Sequence, residues 1–263
     1  MKKYLVIGNP IDHSLSPRLH NFWIKKNNIN ASYEKQKLDE SDLEDLILKI
    51  RKKKLDGINV TVPFKKKIIS LLDRLSIEAN ETQSVNTIYL KDNNVFGHNT
   101  DIEGFKCGLK NSEFNLNGKK VLILGAGGVV PSIIYALKEM KVSEIIITNR
   151  TQSKAEKLKD LFKNIAIVEW GELPEFDMII NATSVGLNKD DKLNLDFTKI
   201  GKNKFFYDVI YNPKETNFLK TAKELENITE NGKLMFIYQA LAAFKIWHGI
   251  KPKINDETIK LLD

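Results

Sequence analysis

The segment VLILGAGGVVPS, residues 121–132, most constrains what this chain can fold into. Four apolar residues typical of a buried strand lead directly into Gly125, Gly127 and Gly128, and an apolar helical pattern follows. An unbroken apolar run would suggest a membrane span, but the glycines and Pro131 interrupt it where a turn belongs. The segment therefore predicts a strand, a tight turn and a helix in immediate succession.

A glycine-rich turn in this context is typical of dinucleotide binding. Glycines let the backbone turn tightly and approach a pyrophosphate, whose charge is met by the unpaired N–H groups of the helix N-terminus. An ordinary strand-to-helix turn without a ligand is the alternative. The predicted phosphate loop comprises Gly125, Ala126, Gly127, Gly128 and Val129.

The end of the next predicted strand indicates which dinucleotide is bound. NAD-binding domains place an acidic residue there, about 20 residues beyond the glycines, to bind the ribose 2′-hydroxyl. In this chain the place is taken by two cations and two neutral donors, namely Asn149, Arg150, Thr151 and Lys154. A planar guanidinium suits a phosphate, so the sequence predicts NADP as the cofactor. The alternative is a solvated loop and helix face.

Composition narrows the class of protein. With 263 residues, 42% of them hydrophobic and 29% charged, the chain has the balance of a soluble globular protein. The net charge of +7 is spread along the chain without interleaved aromatic residues, so we expect no nucleic-acid partner. Neither a transmembrane run nor a signal-peptide pattern is present, so we expect no membrane partner and a cytoplasmic location.

Cysteine and histidine usage predicts the absence of a metal site. The single cysteine, Cys107, has no partner for an internal disulfide or a thiolate site. The four histidines show no zinc-binding spacing.

Strand and helix patterns alternate along most of the chain, which predicts parallel sheets covered by helices on both faces. One pair departs from this alternation, because residues 85–90 and 95–98 flank a Lys-Asp-Asn-Asn turn and predict a hairpin. We also expect a helix over residues 65–75.

Polar residues near the N-terminus suggest a second site. In HSLSP, residues 13–17, the hydroxyls of Ser14 and Ser16 lie beside a predicted helix start, where they can donate to a carboxylate. A serine before proline is also a good N-cap without any ligand, so Ser16 has a purely structural alternative.

Two further segments supply groups of opposite charge. In NVTVPFK, alternation puts Asn59 and Thr61 on one face of a strand and Lys65 beyond its end, where ligands gather in open sheets. Lys65 also begins a run of three lysines that would by default be surface charge. Asp101 follows in NTDIE, where it also suits a helix N-terminus.

Taken together, these segments resemble the shikimate dehydrogenase family. They run in the family's order across about residues 8–249. The departure from the family pattern is Val129-Val130-Pro131 in place of an alanine-rich continuation, which bears on the pyrophosphate contacts. The matching segments are NPIDHSLSP, GINVTVPFK, SVNTIY, GHNTD, LILGAGGVVPS, ITNRT, INATSVG, YDVIYNP and YQALAAFKIWHG.

The resemblance implies NADP-dependent interconversion of 3-dehydroshikimate and shikimate, on the route to chorismate and the aromatic amino acids. It implies that Lys65 and Asp101 are the catalytic pair. It also implies that Val209 and Gly232 lie near the nicotinamide. The implied substrate-binding residues are Ser14, Ser16, Asn59, Thr61, Lys65, Asn86, Asp101, Tyr211 and Gln239.

The implied fold is α/β with two domains separated by a cleft. Residues 1–100 would form an N-terminal α/β substrate-binding domain, rejoined by C-terminal helices over residues 234–263. Residues 101–233 would form a Rossmann-like NADP-binding domain. Both a monomer and a homodimer stay open.

Three other functions stay open. The nearest is a quinate or dual-specificity shikimate/quinate dehydrogenase using NAD, which Arg150 disfavours. A non-catalytic NADP-binding regulatory module is disfavoured by the presence of both Lys65 and Asp101. A serine hydrolase based on His13 and Ser14 would need the Gly-x-Ser-x-Gly turn that the sequence lacks.

Overall fold

The computed structural model describes residues 1–110, 112, 114–188 and 190–263, and it divides the chain into two compact units. The N-terminal unit comprises residues 1–104 and 237–263, and the central unit comprises residues 105–236. The predicted boundaries fell after residues 100 and 233. The observed division lies a little further along, inside the helices that begin at those points.

The N-terminal unit is built around a six-stranded sheet in the order β2-β1-β3-β5-β6-β4. Short 3-10 helices cover Glu40–Asp42 and Lys67–Leu71. The strands are β1 (Lys2–Gly8), β2 (Ala31–Lys37), β3 (Gly57–Val60), β4 (Arg74–Leu75), β5 (Thr87–Lys91) and β6 (Asn94–His98). The helices of this part of the chain are α1 (Ser16–Lys26), α2 (Leu43–Arg51), α3 (Ile77–Thr82) and α4 (Asp101–Leu109).

This first sheet is mixed, because the predicted hairpin adds antiparallel pairs to its parallel strands. Strands β1, β2 and β3 are parallel, but β5 runs antiparallel to both β3 and β6. The predicted hairpin is confirmed as the β5–β6 pair. Its two-residue loop, Asp92-Asn93, has φ values of 48° and 59°, as a type I′ turn requires, and such a turn joins antiparallel strands.

The helix expected over residues 65–75 is wrong. The chain forms only the 3-10 turn Lys67–Leu71, and Leu72 is extended. Strand β4 then pairs with β6, with Leu75 opposite Gly97. A Cβ on Gly97 would lie 2.5 Å from Leu72 Cδ1 and 2.9 Å from Leu75 Cδ2, so these leucines fill the space above the glycine. Tertiary packing thus overrides the local helical pattern.

The central unit has the predicted parallel sheet, with six strands in the order β12-β11-β10-β7-β8-β9. This is the Rossmann order, and its switch point lies between the neighbouring strands β7 and β10. The strands are β7 (Lys120–Leu124), β8 (Glu144–Thr148), β9 (Ala166–Val168), β10 (Met178–Asn181), β11 (Phe205–Asp208) and β12 (Ile228–Asn231). The helices that follow α4 are α5 (Val130–Glu139), α6 (Gln152–Phe162), α7 (Asn217–Glu224), α8 (Lys233–His248) and α9 (Asp256–Lys260).

Each unit has its own hydrophobic core. In the N-terminal unit Leu46 and Ile50 of α2 pack with Ile58 and Ile88 of the sheet. In the central unit the inner strands β7 and β10 are buried on both faces, and Phe206 and Phe218 join their core. Within the described residues, every helix is too short or too polar to cross a bilayer.

Candidate active site and cofactor site

A buried lysine–aspartate pair lies in the N-terminal unit. Lys65 Nζ donates to Asp101 Oδ2 over 2.6 Å, and the two residues are only 9% and 6% exposed. In every other ion pair of the described residues, both side chains are at least 29% exposed. Because a buried charge is costly unless it is paired, the two side chains hold each other in place.

The backbone around Lys65 explains why it is buried while the next two lysines are exposed. Phe64 N donates to Thr61 O over 3.0 Å, and its ring is buried in the core. Val85 N donates to Lys65 O over 2.9 Å, which fixes the lysine backbone beside β5. The default interpretation of Lys65 as surface charge is therefore wrong.

Asn86 holds the other oxygen of the aspartate. Its Nδ2 donates to Asp101 Oδ1 over 2.8 Å and to Thr100 Oγ1 over 2.9 Å. Its Oδ1 accepts from Thr100 N over 2.8 Å and from Thr87 Oγ1 over 3.0 Å. These acceptor contacts fix which end of the amide faces the carboxylate. A substrate hydroxyl that binds Asn86 must therefore share or replace one of these hydrogen bonds.

The network continues through Asn59 to Tyr33. Asn59 Nδ2 donates to Asn86 O over 3.0 Å and to Thr87 Oγ1 over 3.1 Å. Asn59 Oδ1 accepts from the Tyr33 hydroxyl over 2.7 Å. Burial raises the pKa of Tyr33 well above its usual value, and a hydrogen bond with Ser16 partly offsets this. Five predicted residues are thus joined in one network: Ser16, Asn59, Lys65, Asn86 and Asp101.

The two serines of HSLSP have different structural roles. Ser16 is the first residue of α1 and is buried, and the N-cap is Leu15, which makes no side-chain cap. The alternative interpretation of Ser16 as an N-cap is therefore wrong. Ser14 Oγ accepts from Ser16 N over 3.3 Å and remains partly exposed.

The other predicted substrate-binding residues, Thr61, Gln239 and Tyr211, come from three separate segments of the chain. Thr61 follows β3, and its methyl group occupies the space above Gly8, where a Cβ would lie 2.5 Å away. Gln239 lies on α8 within the N-terminal unit. Tyr211 belongs to the central unit, where its ring stacks on Phe236 with the centroids 4.4 Å apart.

Three residues of the network were not predicted from the sequence. Tyr33 lies in β2, Thr87 in β5 and Thr100 just after β6, and their hydroxyls connect the residues that were predicted. Thr87 and Thr100 adjoin Asn86 and Asp101 in the segments SVNTIY and GHNTD, so proximity to a candidate residue was an available signal. Tyr33 adjoins no candidate residue, so the sequence offers no such signal for it.

In the central unit the glycine turn lies at the switch point of the sheet. Gly125 has φ of +108°, and its N–H donates to Thr148 O over 2.8 Å. A Cβ here would lie 2.9 Å from Ala182 O, so both the conformation and the space require glycine. Gly127 and Gly128 are exposed before α5 begins at Val130. A backbone of this shape leaves room for a pyrophosphate at the helix N-terminus.

The predicted 2′-phosphate residues follow β8. Asn149 Nδ2 donates to Thr151 O over 2.7 Å, which shapes the loop before α6. Arg150 and Lys154 are exposed, and neither pairs with a carboxylate among the residues described. Their charges therefore remain available to an anionic ligand such as a phosphate.

Val209 and Gly232, predicted to lie near the nicotinamide, are brought together by the ends of β11 and β12. A Cβ on Gly232 would lie 2.1 Å from Val209 O, so no larger residue fits without moving the backbone. Gly232 N donates to Ile210 O over 3.2 Å. The close backbones at Gly125 and Gly232, together with the two available cations, fit a phosphorylated dinucleotide.

A Rossmann-like unit with cations after its second strand, and an α/β unit with a buried lysine–aspartate pair, together define the class of nicotinamide-dependent oxidoreductases. Residues 6–88 match the family model described as the shikimate dehydrogenase substrate binding domain. Residues 108–228 match the family model described as shikimate / quinate 5-dehydrogenase. The chain belongs to the shikimate dehydrogenase family, which confirms the resemblance inferred from the sequence.

Individual relatives match over the whole chain. A shikimate dehydrogenase (NADP(+)) of Pelagibacter ubique is 62% identical over 262 residues, covering 100% of this chain and 99% of the relative. The crystal structure of the Aquifex aeolicus shikimate dehydrogenase is 35% identical, with a TM-score of 0.89 and coverage of 100% and 97%. The Thermus thermophilus shikimate 5-dehydrogenase in complex with NADP(H) and shikimate is 30% identical, with a TM-score of 0.90 and coverage of 100% and 98%.

Proposed function

We propose that this protein catalyses the reversible NADPH-dependent reduction of 3-dehydroshikimate to shikimate, a step of chorismate and aromatic amino acid biosynthesis. The observation that carries the proposal is the buried Lys65–Asp101 pair, in a chain 62% identical to a shikimate dehydrogenase (NADP(+)). The Thermus relative that binds both NADP(H) and shikimate has the same fold across the whole chain.

Lys65 and Asp101 are the proposed catalytic pair. When bound, the nicotinamide would supply a hydride to the carbonyl carbon of the substrate. The Lys65 ammonium stabilises the negative charge that develops on the carbonyl oxygen and donates a proton to it. Asp101 holds the ammonium in position through their 2.6 Å hydrogen bond. In the oxidising direction the same amine accepts the proton.

The residues proposed to bind the substrate come from the N-terminal unit, except Tyr211, which belongs to the central unit. The hydroxyls of Ser14 and Ser16 would hold the carboxylate, each contributing about 1.5–3 kcal/mol as hydrogen bonds to a charged group do. Asn59 and Tyr211 are secondary candidates. The ring hydroxyls would be bound by Thr61, Lys65, Asn86, Asp101 and Gln239.

The proposed cofactor-binding residues form three groups, each of which would bind a different part of the dinucleotide. Residues 125–129 would face the pyrophosphate, because the turn is open and lies at the start of α5. Asn149, Arg150, Thr151 and Lys154 would bind the 2′-phosphate. Val209 and Gly232 would lie against the nicotinamide, where the backbone of Gly232 lies directly against the Val209 carbonyl.

Initial velocities test this function. The purified protein is assayed with shikimate and with quinate, each with NADP and with NAD, by following the absorbance of the reduced nicotinamide. Turnover confined largely to shikimate with NADP supports the proposal. Comparable rates with NAD would reject the assignment of Arg150, and a preference for quinate would reject the substrate. Binding of NADP without turnover would favour a non-catalytic module.

The partners proposed are small molecules, and the compartment proposed is the cytoplasm. The single cysteine suits a reducing compartment. Either a monomer or a homodimer is compatible with a site whose residues all come from one chain. Light scattering on the purified protein distinguishes these two states, and a larger assembly would contradict both.

A further inference from the structure

Two buried polar residues stand side by side at the carboxyl ends of β10 and β11. Asn181 and Asp208 are opposite each other in the strand register, and both are 0% exposed. Asn181 Nδ2 donates to Asp208 Oδ1 over 3.1 Å. This pair was not among the residues predicted from the sequence. Its position at the carboxyl edge of a Rossmann sheet puts it beside the segments where ligands gather.

Asp208 fixes the segment that follows β11. Its Oδ1 accepts from Ile210 N over 3.0 Å, and its Oδ2 accepts from Thr216 Oγ1 over 2.6 Å. Thr216 is also the N-cap of α7, where its hydroxyl accepts from Leu219 N. The carboxylate therefore ties both ends of residues 209–216 to the end of the strand. Val209, whose carbonyl lies against Gly232, begins this segment.

Asn181 fixes the segment that follows β10. Its Nδ2 also donates to Val185 O over 3.0 Å, and its Oδ1 accepts from Thr183 N over 3.1 Å. These bonds hold residues 182–186 in a compact turn. Ala182 begins this turn, and its carbonyl is the group that leaves no room for a side chain on Gly125. The pair thus supports the backbone on both sides of the proposed cofactor site.

Chemistry explains why a carboxylate stands at position 208. Three donors converge on it: a backbone N–H, a hydroxyl and the amide of Asn181. A carboxylate offers only acceptors, whereas an asparagine would turn an N–H group towards one of the donors. Burial raises the pKa of Asp208 to about 6, against the lowering effect of these hydrogen bonds. A buried ionised group is a costly choice for packing alone, which points to a geometric requirement.

We propose that Asp208 is a positioning residue for the cofactor: with Asn181 and Thr216 it holds residues 182–186 and 209–216 in the arrangement that the dinucleotide needs. This inference rests on the proposed function, because it places the cofactor between Gly125 and Gly232. Asp208 itself acts through the backbone of these two segments.

The test compares Asp208→Asn with Asp177→Asn. Asp177 lies at the opposite end of β10, where it also accepts a backbone N–H, from Lys120 N over 2.9 Å. NADPH affinity is measured by the fluorescence of the reduced nicotinamide, well below the unfolding temperature of each variant. We expect Asp208→Asn to weaken NADPH binding by about 10-fold, with the KM for shikimate nearly unchanged, and Asp177→Asn to leave both unchanged.

If Asp208→Asn does not fold, two substitutions of Thr216 test the same inference. Thr216→Val removes the hydroxyl that donates a hydrogen bond to Asp208, whereas Thr216→Ser keeps that hydroxyl. We expect NADPH affinity to fall in the valine variant and to be restored in the serine variant. Equal affinities in the two variants, or wild-type affinity in Asp208→Asn, would overturn the inference. Equal losses in Asp208→Asn and Asp177→Asn would also overturn it, because they would indicate a purely structural effect.

The binding measurement separates this inference from the proposed function. If the wild-type protein binds no NADPH, the proposed cofactor is wrong. If it binds NADPH and the Asp208 and Thr216 variants bind it equally well, only the role of Asp208 is wrong.

Discussion

The two units use buried polar groups in opposite ways. In the N-terminal unit the buried network contains the proposed chemical groups themselves, since Lys65 and Asp101 belong to it. In the central unit the buried pair Asn181–Asp208 supports backbone segments, whereas the proposed phosphate ligand Arg150 is exposed and unpaired among the described side chains. The first site is organised by side chains and the second by the backbone.

The chemistry of the two proposed ligands explains this difference. A small hydroxylated ring is recognised through directional hydrogen bonds, which are accurate only if the donors are held in fixed positions. A dinucleotide carries phosphates, which bind to backbone N–H groups at a helix N-terminus and to cations that can reach from solvent. The variants below test this contrast, beginning with the largest expected effect.

Lys65→Ala should cause the largest loss. We expect turnover to fall by roughly 100- to 10,000-fold, the usual range for removing a general acid or base, with little change in substrate affinity. Steady-state kinetics in the presence of saturating NADP measures it. Lys66→Ala is the matched control, because Lys66 is the neighbouring lysine and is exposed. Turnover near the wild-type value in Lys65→Ala would remove this residue from the mechanism.

Arg150→Ala should affect the cofactor site alone. We expect the KM for NADP to rise by about 10- to 100-fold, because a charge-assisted contact to the 2′-phosphate is lost. The KM for NAD, which lacks that phosphate, should stay constant. Lys157→Ala, in the helix α6 that follows Arg150, is the control, since Lys157 is also exposed. An equal rise in the KM for NADP and the KM for NAD would show that Arg150 does not bind the 2′-phosphate.

One buried titratable group in each unit should also respond oppositely to acid. His20 in α1 is 0% exposed and stacks on Tyr33 with the ring centroids 4.2 Å apart. Burial, followed by the nearby His248, lowers the pKa of His20 to about 3. In the unfolded chain His20 has its ordinary pKa near 6.5, so below that pH the unfolded chain binds a proton that the folded chain does not. The free energy of unfolding therefore falls as the pH decreases below about 6.5. Asp208 has a pKa raised to about 6, so its effect on stability has the opposite pH dependence. Its contribution to the free energy of unfolding is lost as pH rises from about 4 to 6.

His20→Phe should therefore make the N-terminal unit less sensitive to acid. Between pH 7 and pH 5 the wild-type chain should lose about 2 kcal/mol of unfolding free energy through His20, and the variant should not. Denaturant titration followed by tryptophan fluorescence measures this, since Trp23 and Trp247 both lie in this unit. His13→Phe is the control, because His13 is exposed. An unchanged pH dependence in His20→Phe would contradict the assignment.

The parts of the fold that follow from local chemistry were predictable. The Gly125 turn needs a positive φ, and the hairpin loop at Asp92 needs two, so the residue types indicate the structure directly. The helix expected over residues 65–75 failed because a contact distant in sequence, between Leu75 and Gly97, decided the outcome. Local periodicity contains no information about such a contact.

The sites divide in the same way. Lys65 and Asp101 were predicted because they belong to recognisable segments, but their burial and their 2.6 Å contact depend on tertiary structure. Tyr33 and Asp208 were missed, because each acts by holding another group through hydrogen bonds that depend on tertiary structure. Asp208 lies in the matching segment YDVIYNP, directly before Val209, so its position was an available signal. Sequence indicates the groups that can react, and the structure adds those that hold them in place.

We expect the smallest effect, a change in unfolding free energy, from a tyrosine-to-phenylalanine substitution made in each unit. Tyr33 and Tyr207 are both buried, but the Tyr33 hydroxyl donates to Asn59, whereas the Tyr207 hydroxyl has no hydrogen-bond partner in the described part of the chain. Tyr207→Phe should therefore raise the unfolding free energy by about 1 kcal/mol, because it removes an unpaired buried group. Tyr33→Phe should lower it, since it leaves Asn59 Oδ1 without its donor. Denaturant titration of both variants measures the two signs, and a loss of stability in Tyr207→Phe would mean that its hydroxyl is paired after all.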